Sequence, residues 1–138
     1  MKVPALTVWQ PWASLIAQGA KLIHTRNWPT LHRGPLAIHA AKRYTPDQRA
    51  VAAQEPFRSA LAELNLWYYL GKVVAVAELV DCVLITPDNI PPEPERSFDD
   101  YRPGRFMWIL RNVRKLAEPV AVRGRQGLWV WDMPEVKA

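Results

Sequence analysis

The sequence predicts a single α+β domain, a small barrel of mostly antiparallel strands with two or three short helices. Short stretches with strand character recur along the chain and outnumber the helical ones. The clearest helical stretches fall in the first half, so the second half is left almost wholly to strands. A chain of 138 residues suits one domain and buries about two-thirds of its unfolded surface, enough for a core without covalent staples. Seven short strands in that length favour a closed or nearly closed sheet over an open parallel one.

Each element has its own signal. Ala5 to Trp9 reads as a strand. Pro11 suits a helix start, Trp12, Leu15 and Ile16 follow at helical spacing, and Gly19 ends the pattern. Lys21 to Trp28 reads as a second strand, with Leu22, His24 and Arg26 on one face and Ile23, Thr25 and Asn27 on the other. Gly34 to Ala40 is a third. Thr45-Pro46-Asp47 is a helix start, with a hydroxyl to cap and a proline for the first turn. Pro56 should break that helix, and Phe57 to Leu64 forms another. Gly71 to Val83 is valine-rich and reads as a long strand with a deeply buried face. The proline-rich, acidic segment Thr86 to Gly104 reads as an irregular excursion. Arg105 to Val113, Leu116 to Val122 and Gln126 to Trp131 complete the strands. No repeat or low-complexity tract divides the chain.

Composition narrows the class. Lys and Arg number 18 against 13 Asp and Glu, a formal charge of +5, and twelve of the 18 are arginine. Arginine suits bidentate phosphate contacts and stacking on bases, and net positive charge favours polyanions. Glu93, Glu95, Asp99 and Asp100 sit in one segment, so the remaining surface is more basic than the total implies. That segment would repel a polyanion and is expected to face away from the site or to act as a flap. Cys82 is the sole cysteine, which leaves no intrachain disulfide. No stretch approaches the roughly 18 apolar residues of a membrane span. Met1 to Trp9 lack the basic region and apolar run of an export signal, so the expected location is the cytoplasm. Three scattered histidines and one cysteine make no metal-ligand spacing, and neither metal nor cofactor is expected.

Several segments resemble, in order, those of the ASCH (activating-signal-cointegrator homology) domain family. They are Gln10-Pro11-Trp12-Ala13, Gly19 two residues before Lys21, and Arg26 five residues after it. The likeness continues through Gly71 to Val80 with Glu78, through Phe106-Met107-Trp108, and through Gly124 to Val130. It implies a PUA-like fold, a pseudo-barrel related to RNA-binding domains, with a cleft between the lysine strand and the glutamate strand. Some small bacterial members deacylate N4-acetylcytidine with a lysine at the place of Lys21 and a glutamate at that of Glu78. Others are ribonucleases or nucleic-acid-binding modules, so fold alone does not assign function. One departure stands out: His24 occupies a position where many members carry glutamate and the small amidohydrolases carry threonine.

Two functions follow as expectations. The first is recognition of RNA or a modified nucleoside in a basic, tryptophan-lined cleft. Gln10 would read a base edge, Trp12, Trp28 and Trp108 would stack, and Thr25 and Arg26 would contact the ligand. Arg123 and Arg125 flank a glycine turn that reads either as a plain turn or as a phosphate cradle. The second is amide hydrolysis, with Lys21 as nucleophile or base, Glu78 passing a proton to the leaving amine, and His24 in support. A ribonuclease would use the same cleft. Each group has a bland alternative: a solvated lysine for Lys21, and an ion pair with Arg26 for Glu78. His39 reads as a satisfied core histidine, and Trp67, Trp129 and Trp131 as core rings.

Overall fold

The computed structural model describes residues 1–134. Six strands form one sheet: β1 (Lys2–Val8), β2 (Ile23–Arg26), β3 (Gly34–Ala40), β4 (Lys72–Leu84), β5 (Phe106–Ala121) and β6 (Leu128–Asp132). Their order is β2-β5-β4-β3-β1-β6, and only the β1–β3 pair is parallel. The ends of the sheet, β2 and β6, are not hydrogen-bonded to each other, so the barrel is open there. Five short helices decorate it: α1 (Trp12–Ala17), α2 (Pro46–Ala52), α3 (Phe57–Leu61), α4 (Leu66–Tyr69) and α5 (Glu95–Phe98).

The central strands are buried on both faces, which is why their sequences run apolar rather than alternating cleanly. In β1, Leu6 and Val8 join a core with Ile16, Ile38, Val74 and Trp108, whereas Val3 and Ala5 join a second with Val73, Trp129 and Trp131. Thr45 caps α2 as expected: its hydroxyl accepts from the Gln48 N–H, and the Gln48 amide accepts from the Thr45 N–H.

Three expectations are corrected. The two strands foreseen over Arg105–Val122 are one, because Asn112 takes a left-handed φ of 50° and the pairing with β4 continues past it. The aromatic run near Trp67 is helix α4, and Trp67 is 55% exposed, packed edge-on against Tyr44 and beneath Arg49 rather than in the core. The acidic excursion contains α5 and does not face away from the cleft, as the next section describes. No described helix is long and apolar enough to cross a membrane.

Candidate nucleic-acid interface

Gly19 closes α1 with a positive φ of 78°, and the Ala20 and Lys21 N–H groups fold back onto the Leu15 carbonyl. This turn drives Lys21 into the protein before β2 begins, where it is fully buried. A buried ammonium requires counter-charge and hydrogen bonds. The acidic segment supplies them: Lys21 Nζ lies 2.7 Å from the Asp99 carboxylate and 4.0 Å from that of Glu95, and it donates to the Ile23 carbonyl. Glu95 also accepts from the Leu22 N–H and the Tyr101 hydroxyl. Asp99 accepts from the Thr25 hydroxyl at 2.7 Å and the Thr25 N–H at 3.1 Å. Burial alone would push the Asp99 carboxyl up, but Lys21 and the hydrogen bonds from Lys21 and Thr25 outweigh it and hold it below its ordinary value.

Beside this cluster opens a cavity of about 610 Å³. Trp9, Trp12 and Trp28 contribute aromatic wall, and Arg26, Arg105 and Arg125 contribute positive charge. Trp12 is fixed by its indole N–H to the Phe98 carbonyl at 2.6 Å. Trp28 meets Trp108 edge-to-face at 4.9 Å, with the Arg26 guanidinium 5.9 Å from its ring centre. Arg105 donates to the Thr25 hydroxyl at 3.1 Å, so that oxygen serves Asp99 and Arg105 at once.

His24 is the unusual member. Its ring is buried, and Arg26 Nε donates to His24 Nε2 at 2.9 Å. A guanidinium cannot accept, so Nε2 is the acceptor and the neutral ring carries its proton on Nδ1. Burial, with Arg26 and Lys21 nearby, overcomes the attraction of Asp99 and pushes the imidazole down to about 3. Nδ1 has no hydrogen-bond partner among the described residues.

The structure sorts the sequence candidates. It brings Trp12, His24, Thr25, Arg26 and Trp28 to one cavity. Lys21 stands behind the cavity wall, its amine engaged by Asp99 and Ile23, and it does not line the cavity. Glu78 is not brought to Lys21: it is exposed, accepts from the Asn112 side chain at 2.8 Å, and lines a separate recess with Arg114. In the sheet it stands opposite Pro35 of β3 and Arg111 of β5. Gln10 is buried, spends its amide on the Ser14 N–H and hydroxyl at the start of α1, and does not line the cavity. Trp108 is wholly buried, its indole N–H on the Trp28 carbonyl, and it braces Trp28 from behind. Trp129 and Trp131 are core rings as expected. His39 is satisfied, held at 2.7 Å to the Val122 carbonyl and 3.2 Å to the Thr7 hydroxyl. Asp99 and Arg105 were not foreseen as site residues. Their only signal was indirect: a buried lysine needs a carboxylate, and four of the acids cluster near 93–100.

Comparisons with known proteins agree with this architecture. The ASCH domain family matches residues 6–120. The chain is 31% identical over 130 residues to human activating signal cointegrator 1, covering 92% of this chain and 22% of that protein. The mouse counterpart is 27% identical over 137 residues, with the same coverage of 92% and 22%. The chain thus spans 22% of the length of the curated relatives it matches. Among solved structures, the ASCH protein of Zymomonas mobilis superposes with a TM-score of 0.59 at 15% identity, covering 91% of this chain and 85% of that one. A mutant form of that protein gives 0.57 at 16%, with 91% and 87% covered. At such identity the likeness concerns the fold, the PUA-like barrel, here with its sheet left open between β2 and β6.

Proposed function

The chain belongs to the ASCH domain family, and we propose that it binds single-stranded RNA by seating one base, standard or modified, in the cavity beside β2. The observation that carries this reading is the lining of that cavity, where three tryptophans and the cations of Arg26, Arg105 and Arg125 surround one opening. Aromatic rings and guanidinium groups together suit a flat base joined to a phosphate. Trp9, Trp12 and Trp28 offer π-faces to the same ligand, worth about 1–3 kcal/mol per stacked base. Arg125, exposed at the rim, suits the adjoining phosphate.

Amide hydrolysis finds less support. It needs a free lysine amine and a carboxylate within reach of one carbonyl. Here Lys21 is sealed against Asp99, and Glu78 lines another recess.

The test is binding of fluorescein-labelled single-stranded RNA by anisotropy, with Trp9→Ala as the comparison. Trp9 is 59% exposed and its ring makes no hydrogen bond among the described residues, so its removal should leave the fold intact. We expect an affinity loss of about tenfold or more, in keeping with the stacking energy. Equal affinities would remove the cavity from the interface. Turnover of N4-acetylcytidine by the parent, lost in a folded Lys21→Met variant, would overturn the binding reading in favour of the hydrolase.

A further inference from the structure

Thr7 has two roles on two sides of β1. Its carbonyl accepts from Arg26 at 2.6 Å beside the base cavity. Its hydroxyl accepts from the Trp129 indole at 3.1 Å and donates to His39 Nδ1, in the floor of a second groove. This groove encloses about 870 Å³ and shares Thr7, Arg125 and Gln126 with the base cavity, so the two are contiguous.

The charge lining the groove is of one sign. Lys42, Arg43, Arg123 and Arg125 line it, all exposed, and no carboxylate does. Among the described residues none of these four side chains has an ion-pair or hydrogen-bond partner, whereas Arg33, Arg58, Arg96, Arg102 and Arg105 each have a carboxylate. Mutual repulsion of four unpartnered cations around one groove is a standing cost that a polyanion relieves.

The turn bearing two of these cations is built into place. A Cβ on Gly124 would lie 2.7 Å from both His39 Cε1 and the Thr7 hydroxyl, closer than carbon tolerates. The absence of a side chain lets the backbone press onto that floor and sets Arg123 and Arg125 on either side of it.

We infer that this groove carries the sugar–phosphate backbone of the same RNA strand whose base enters the cavity, which makes the ligand an oligonucleotide rather than a free nucleoside. The inference rests on the base-binding reading. A strand leaving the cavity past Arg125 and Gln126 runs directly into the groove, where Lys42, Arg43 and Arg123 meet its next phosphates. An apolar base of Val122 and Leu70 suits the ribose faces.

The experiment is calorimetric titration of cytidine and of a single-stranded tetranucleotide into the parent and into Lys42→Gln/Arg43→Gln/Arg123→Gln, across a salt series. Arg125 is spared because it lines both recesses. The parent should bind the tetranucleotide more tightly than cytidine, and the triple variant should lose about tenfold or more for the tetranucleotide. The slope of log affinity against log salt should flatten by about 2, as three lost phosphate contacts on a single strand require, while cytidine affinity is unchanged. A variant with the parent's tetranucleotide affinity and slope would overturn the inference, as would heparin bound as tightly as RNA with the same slope. If an abasic tetranucleotide binds as well as the intact one and still depends on the three cations, the groove stands and the base reading falls. If the parent binds neither ligand, both fall.

Discussion

Two groups of basic side chains lie within this small protein and behave in opposite ways. Lys21 is buried, paired with Asp99 and hydrogen-bonded to Ile23. Lys42, Arg43, Arg123 and Arg125 are exposed around an open groove and have no ion-pair or hydrogen-bond partner among the described residues. The first arrangement spends its charge on the protein itself, tying the acidic segment to the turn after α1. The second leaves its charge for something else. A family-based expectation points to Lys21 as the chemical centre, but its surroundings mark it as an anchor.

The comparison can be broken most forcefully at Asp99. Asp99→Ala leaves a buried ammonium without its closest counter-ion and should cost about 3–5 kcal/mol in urea unfolding. Removing Lys21 as well, in Lys21→Met/Asp99→Ala, should cost less than Asp99→Ala alone, because the orphaned charge is gone. A mild loss for the single variant would mean that Lys21 is solvated after all.

Next in size is Gly124→Ala, whose added carbon meets His39 and Thr7 at 2.7 Å. Overpacking of this kind costs about 1–3 kcal/mol and should also weaken RNA binding by displacing Arg123 and Arg125. Thermal unfolding and anisotropy read the two effects separately. An unchanged midpoint with unchanged binding would show that the turn is free to lift.

Acid should then separate the regions. The folded His24 is held neutral down to about pH 3, whereas its unfolded form takes a proton near 6.5. Between those values the unfolded state binds more protons, so stability is full above 6.5 and declines as pH falls, by about 1.4 kcal/mol at pH 5.5 from this ring. His39, also held down by burial, acts in the same direction. Asp99 adds a further loss only below its ordinary value, because its folded carboxyl is the more acidic. A His24→Asn variant should show a shallower decline from pH 7 to 5 in denaturant titrations. A decline identical to the parent's would place the burden on His39.

The smallest expected effect on stability is the most telling for the groove. Arg123→Gln touches no bonded partner and should stay within about 0.5 kcal/mol of the parent. Its RNA affinity should nonetheless fall, with a salt slope flatter by about 0.7. A stability loss well above that figure would mean that Arg123 holds the fold rather than a ligand.

Much of the frame was legible beforehand, because local pattern determines it. The Thr45 cap, the glycine stop at 19 and the valine-rich run of β4 each carry their own instruction. The shared face of His24 and Arg26 followed from strand parity and placed the two in contact. Glu78 was placed near Lys21 by the family resemblance alone, and its actual position, opposite Pro35 and beside Asn112, depends on the pairing of β4 with its neighbours rather than on local pattern. The Lys21–Asp99 pair was out of reach for a different reason: the partners are far apart in the chain, and only the return of the acidic segment across the turn after α1 joins them. Gln10 illustrates a third limit. Its amide suits a base edge as well as it suits Ser14, and only the geometry of the α1 start decides between them.

The placement of the tryptophans also makes the protein its own optical probe. Trp108, Trp129 and Trp131 are enclosed and should emit in the blue whatever is bound. Trp9 stands at the cavity mouth, 59% exposed, and should emit towards the red. A base entering beside it would quench Trp9's share of the red emission and leave that of Trp67, 55% exposed and outside the cavity lining, whereas unfolding would shift all the rings together. Occupancy and folding can thus be followed at different wavelengths in one unlabelled sample.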